Sequence, residues 1–351
     1  MANWWHAKSN NRYEKMAGKL SLLLQWGYIK IKVMNFLFFC VALLLTGCAS
    51  SSVYIPETHQ LDRSNLPFPA ITATISNLSS CTDSDDKSIQ LDPESPLTVL
   101  VHGCNGSAGR FRSLAQLYAF HGQQAVCYSY DDRKSLVDSA EKLAVAVKKL
   151  AELTNNQKIS IIGHSMGGLI ARNAVEEKHN ESKLLLDENL ELVTISAPLS
   201  GIRSASHCGV EALHWLSVGI LPGICWLVTG DNWNEITSSS NFILDPKPLL
   251  PSIQNYLKIV TNEVGTCRKI GRSGTCIESD YVFNLAEQYN PRIQSYPNVT
   301  AVQVDAGHVE IVGNKNVVPR KLLSILQEYG MLSRTQADQQ EAFEKLLADL
   351  Y

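Results

Sequence analysis

Ser165 stands at the centre of Gly163-His164-Ser165-Met166-Gly167, between a short β-branched run at 159–162 and a helical pattern at 169–177. A strand entering a helix through so sharp a turn leaves no room for side chains two residues either side of its apex, which accounts for both glycines. The serine hydroxyl is then exposed on a strained backbone with a helix N-terminus beneath it, where a nucleophile belongs. A serine hydroxyl is a weak nucleophile; it needs a base, and the base needs an acid to orient it.

The sequence holds nine histidines. His308, in Asp305-Ala306-Gly307-His308-Val309-Glu310, follows the last expected strand and reaches the sheet edge where Ser165 emerges, so it is the expected base. His164 adjoins the serine but is expected to face away, and His102 to prop its own loop. In the chain order Ser, acid, His, the acid falls between 165 and 308. Asp280, after the expected strand 257–261 and a cysteine-flanked loop and before a helix-like stretch at 285–289, is the choice. Asp231 and Asp245 belong to an insertion, Asp187 to the wrong edge, and Asp305 is too near His308 to turn back. Backbone N–H groups of Met166 and of Cys104, in the loop after the strand 97–101, are the expected donors to a developing oxyanion.

These residues need a frame. Buried-strand patterns recur at 71–76, 97–101, 124–130, 159–162, 190–196, 257–261 and 299–304. Helical spacing appears at 110–121, 135–153, 318–329 and 336–350. Alternating strands and helices predict an α/β fold, a doubly wound, mostly parallel sheet covered on both faces. The long piece at about 201–252 reads as a cap over the site. Its run 215–228 is strongly apolar, but Pro222 and Gly223 break any helix.

Together, Val101-His102-Gly103, Gly163-His164-Ser165-Met166-Gly167-Gly168, the 194–201 stretch, Ser279-Asp280-Tyr281-Val282 and Gly307-His308 resemble the lipase/esterase branch of the α/β-hydrolase superfamily, over roughly 96–329. The resemblance implies Ser165 as nucleophile, His308 as base, Asp280 as acid and the Cys104 and Met166 amides as oxyanion hole. It departs at Tyr281, where such enzymes often carry Asp-Gly before the valine. The expected function is hydrolysis of carboxylic esters, lipid-like in view of the apolar insertion, through an acyl-enzyme and without cofactor or metal. Acyl transfer or thioester cleavage by the same triad is the first alternative, because pocket shape selects the acceptor. A non-catalytic binding lipoprotein is the second.

With 31 Lys+Arg against 34 Asp+Glu, a net charge of -3, nothing points to nucleic acid. Near the N-terminus, residues 36–45 are almost wholly apolar, follow Lys30 and Lys32, and end in Leu45-Thr46-Gly47-Cys48. This layout is that of a secretory signal, and its ending resembles a bacterial lipobox. That resemblance implies a lipidated Cys48, with Ala49 after it implying delivery to the outer membrane. The expected organisation is a targeting segment at 1–47, a tether at 48–68 and the hydrolase domain at 69–351. Export predicts that some of Cys81, Cys104, Cys127, Cys208, Cys225, Cys267 and Cys276 pair. Cys267 with Cys276 and Cys208 with Cys225 flank candidate loops, and the odd number leaves one over.

Overall fold

The computed structural model describes residues 71–155, 157–177, 182–185, 187–203 and 234–351, all within one compact unit, Ser52–Tyr351. The expected targeting segment, Cys48 and its tether, the apolar run 215–228 and the Cys208/Cys225 pair lie outside the described residues.

A seven-stranded sheet carries the molecule. Its members are β2 (Leu78–Ser79), β4 (Leu97–Val101), β5 (Gln124–Tyr128), β6 (Ile159–His164), β7 (Leu190–Ile195), β8 (Ile253–Asn262) and β11 (Val299–Asp305). They lie in the order β11-β8-β7-β6-β4-β5-β2. All neighbours are parallel except β2, which runs antiparallel to β5 at the edge. Strands β4, β6 and β7 are buried along their whole length, and this is why they read as unbroken apolar runs.

Side chains of these strands go alternately to two cores. Val99, Val101, Ile159, Ile161 and Leu192 pack with α2 (Leu136–Leu153) and α3 (Met166–Ala174). Leu100, Ile162, Val193 and Ile195 pack with α1 (Arg112–Phe120), α4 (Arg320–Glu328) and α5 (Gln340–Leu350). Each such Leu, Ile or Val contributes about 1.5–3 kcal/mol by leaving water. Helix α2 starts where expected: the Ser135 hydroxyl accepts from Asp138 N–H. The Glu235 carboxylate accepts from Ser135 Oγ and Leu136 N–H, an anion placed where the helix dipole favours it.

That contact also fixes the far end of the expected cap. Residues 234–252 are part of the body: Ile236, Ile243 and Leu250 belong to the α2/α3 core, and Leu250 N–H donates to Val175 C=O. The early strand expected at 71–76 shortens to β1 (Ile71–Ala73), which pairs antiparallel with β3 (Ile89–Leu91) in a separate two-stranded ribbon. Cys81 is bonded to Cys127 of β5, and Cys267 to Cys276. The second bond closes the hairpin of β9 (Cys267–Ile270) and β10 (Cys276–Ser279). Cys104 is in no disulfide.

Candidate active site

Ser165 directly follows β6, at φ 56°, ψ -126°, a conformation costly for a side chain. The glycines around it are sterically required. A Cβ on Gly163 would lie 2.3 Å from Gly167 O, and one on Gly167 would lie 2.2 Å from His102 O. Gly168 faces Ala197 Cβ at 2.7 Å in the same sense. The Ser165 N–H donates to Ile195 O at 2.8 Å, locking the turn onto β7, and Met166 opens α3 directly after it.

His308 lies beyond β11, two strands past β7. Its Nδ1 is 2.9 Å from Glu263 Oε1 and 2.9 Å from Ser196 Oγ. Glu263 follows the last residue of β8 and Ser196 the last of β7. Ser165, Ser196, Glu263 and His308 therefore crown four consecutive strands, β6, β7, β8 and β11, at their carboxyl ends. The ring of His164, the residue before the nucleophile candidate, packs on that of His308 with centroids 4.7 Å apart. No hydrogen bond joins Ser165 Oγ to His308 Nε2 among the described residues; with Nδ1 engaged, Nε2 is the nitrogen left for a proton from the serine.

Asp280, expected to orient the imidazole, sits elsewhere. Its carboxylate accepts from the N–H groups of Val309 (3.1 Å) and Glu310 (2.9 Å) and from Arg268 Nε and Nη2 (3.1 and 3.0 Å). Its own C=O accepts from His308 N–H at 2.9 Å. Asp280 thus clamps the backbone of the His308 loop, and Gly307 is a glycine because a Cβ there would meet Asp280 Oδ2 at 2.1 Å. The acid against Nδ1 is Glu263.

The Glu263 carboxylate is fully engaged. Oε1 accepts from Ser196 Oγ (2.7 Å) and Thr261 Oγ1 (2.9 Å), and Oε2 from Val282 and Phe283 N–H (2.6 and 2.8 Å). Burial alone would raise its pKa; the His308 hydrogen bond and charge, the Phe283 N–H and Ser196 outweigh it and hold the carboxyl below its usual value. Ser196 has φ 48° and is fully buried.

The other candidates are placed as follows. His164 turns toward the site, where its Nε2–H donates to His308 C=O at 2.9 Å. Burial, then the neighbouring charges of His308 and Arg110, keep it far below its usual pKa and neutral. His102 stacks on Tyr130 with centroids 4.3 Å apart, and its Nδ1 lies 2.9 Å from Gly103 O, as expected of a loop prop. The Gly103 backbone touches the serine: a Cβ there would be 2.9 Å from Ser165 Cβ. The loop running into Cys104 and the start of α3 at Met166 thus flank Ser165.

Three site residues escape a reading of the sequence. Glu263 had a usable signal, being the first carboxylate beyond the strand that follows the insertion. Ser196, inside a buried run, and His164, whose direction depends on the turn, had none.

Residues 93–231 match the family described as "Putative serine esterase (DUF676)". No curated protein matches the chain. Among solved structures, the propeptide form of the Bacillus licheniformis lipase BlEst2 superposes with a TM-score of 0.50 at 16% identity, over 70% of this chain and 52% of that one. Its mature form gives 0.49 at 16% identity, over 73% and 99%. The Pyrococcus furiosus esterase PF2001 gives 0.40 at 18% identity, over 68% and 82%. The chain has the α/β-hydrolase fold. The segment matched to that family, 93–231, contains the Ser165 turn.

Proposed function

We propose that Ser165, His308 and Glu263 form the catalytic triad and that the substrate is a lipid-like ester cleaved through an acyl-enzyme. The observation that carries this is the Glu263–His308 Nδ1 contact at 2.9 Å, made at the strand ends beside a strained, glycine-flanked serine. Ser165 Oγ attacks the ester carbonyl while His308 Nε2 takes its proton. The tetrahedral oxyanion is held by the Cys104 and Met166 N–H groups, each such donor contributing about 2.7–4 kcal/mol. Imidazolium returns the proton to the leaving alkoxide. Water, deprotonated by the same nitrogen, then releases the acid and regenerates Ser165.

Glu263 keeps the imidazole in the tautomer with hydrogen on Nδ1 and stabilises the imidazolium. Exposed Val264, Tyr281 and Val282 beside Glu263 support an apolar substrate, as does the apolar run at 215–228. The lipobox-like Leu45-Thr46-Gly47-Cys48 supports anchoring through lipidated Cys48 in the cell envelope, at the outer membrane.

A panel of soluble and long-chain esters, run on wild type and Ser165→Ala, tests the reading. Wild type is expected to turn over long-chain esters in preference to acetyl esters and to react with a fluorophosphonate, with Ser165→Ala doing neither. A preference for acetyl esters would remove the lipid-like substrate, and an unreactive wild type would remove the triad.

A further inference from the structure

Residues 264–282 leave the sheet and return to the same point. They start after Glu263 and end where Val282 and Phe283 N–H donate to Glu263 Oε2 at 2.6 and 2.8 Å. Asp280 N–H also donates to Thr266 O at 3.2 Å. Between these pins stands the β9–β10 hairpin, closed by Cys267–Cys276. The base of the excursion thus holds the proposed acid and the Asp280 clamp.

Its tip is built differently. Ile270 is 67% exposed and Ile277 61%. Ile277 lies near the turn, since a Cβ on Gly271 would meet its Cγ2 at 3.0 Å. An isoleucine this bare has no role in the core, and two of them share one disulfide-closed tip. Lys269 and Arg272 are exposed beside them. The one carboxylate on the hairpin, Glu278, pairs at 3.3 Å with Arg268, which also reaches Asp280. Among the described residues Lys269 and Arg272 have no acidic partner, so the tip presents positive charge around apolar side chains. Soluble short peptides or nucleic acids would match the charge and waste the isoleucines; an anionic bilayer matches both, its headgroups taking the cations and its acyl boundary the apolar side chains.

We infer that the 267–279 hairpin is a docking element for a membrane surface containing anionic lipid, seating the sheet edge that carries Ser165 against it. The inference deepens the lipid-like reading of the substrate but concerns the tip alone. Lys269 and Arg272 are each expected to contribute about fivefold in affinity for such a surface, and raised salt to weaken it.

The test uses the full chain with vesicles of phosphatidylcholine alone or mixed with phosphatidylglycerol, both with brominated acyl chains. Ile277→Trp reports insertion of the tip as fluorescence quenching beyond that of the wild-type tryptophans. Added quenching is expected with the mixed vesicles. It should shift to about 25-fold higher lipid when Lys269→Ala and Arg272→Ala are introduced together. Hydrolysis of a soluble short-chain ester should remain at the wild-type level in every variant, which also shows that they fold. Absence of added quenching, or equal quenching with neutral and mixed vesicles, would overturn the inference. Tip insertion in a chain whose wild type hydrolyses no ester would instead overturn the catalytic reading and leave docking standing.

Discussion

Glu263 and His308 meet across the ends of two neighbouring parallel strands, β8 and β11, with Oε1 2.9 Å from Nδ1. Glu263 stands one residue past the end of β8 and His308 three residues past the end of β11, so sheet and histidine loop both set the pair. Asp280 acts one step back, on the main chain of the histidine loop.

Exchanging the two carboxylates for amides should separate these roles. Glu263→Gln is expected to lower kcat on a soluble ester by about 10⁴-fold, because the imidazole loses its tautomer. Asp280→Asn should lower it by about 10²-fold through misplacement of the loop. A larger loss from Asp280→Asn would return the orienting role to Asp280. The depressed Glu263 pKa adds a stability signature. Its contribution is present above the ordinary carboxyl value and lost as pH falls through the folded one. Thermal unfolding between pH 6 and about 3 should therefore show less acid loss in Glu263→Gln than in wild type.

The Cys267–Cys276 bond sits beside Arg268, and Arg268 holds Asp280. Replacing both cysteines by serine is expected to lower kcat by about tenfold, equivalent to about 1.4 kcal/mol, with little change in KM. Arg268→Ala should reproduce that split. A change confined to KM would dissociate the hairpin from the histidine.

Lys258 is 1% exposed, and its Nζ has no hydrogen-bond partner among the described residues; the Tyr289 ring lies 5.8 Å away. Burial, helped by the charge of Arg172, pushes its pKa down to about 8 from 10.5. The unfolded chain thus binds more protons between those values, so stability should rise with pH across that window. Below pH 8 the buried charge costs roughly 3 kcal/mol. Lys258→Met is expected to raise the denaturation midpoint in urea at pH 7 and to flatten the rise above pH 8. A midpoint lowered at both pH values would show that the amine is favourably placed.

Gly163→Ala would put a methyl group 2.3 Å from Gly167 O, both within rigid backbone. A loss of about 3 kcal/mol or more in urea unfolding is expected, beyond ordinary overpacking. Gly122→Ala, where a Cβ meets nothing within 4 Å but φ is +67°, should cost about 1 kcal/mol.

What the sequence made legible follows from what is local. Strands β4, β6 and β7 are buried on both faces and so spell themselves as apolar runs. The Ser165 turn declares itself because its steric demands fall on two glycines. The helix expected at 336–350 begins as an α-helix only at Gln340, after a single 3₁₀ turn, since exposed polar residues fix no start. Place in the chain favours Asp280, but it does not say which way a carboxylate points. Asp280 faces two backbone amides and an arginine, while Glu263, just past the end of β8, lies against His308 Nδ1. Strands β9 and β10 pair with each other and carry mostly exposed residues, so no hydrophobic alternation marked them.

Because the 264–282 excursion leaves from Glu263 and is fastened to the same carboxylate on its return, it is topologically a closed side loop. With Arg268 and the disulfide kept, the residues at 269–275 can be lengthened, shortened or exchanged without pulling on the proton-relay geometry at its root. Variation in what the protein touches is thereby uncoupled from variation in what it does, and the tip can diversify while the chemistry stays fixed.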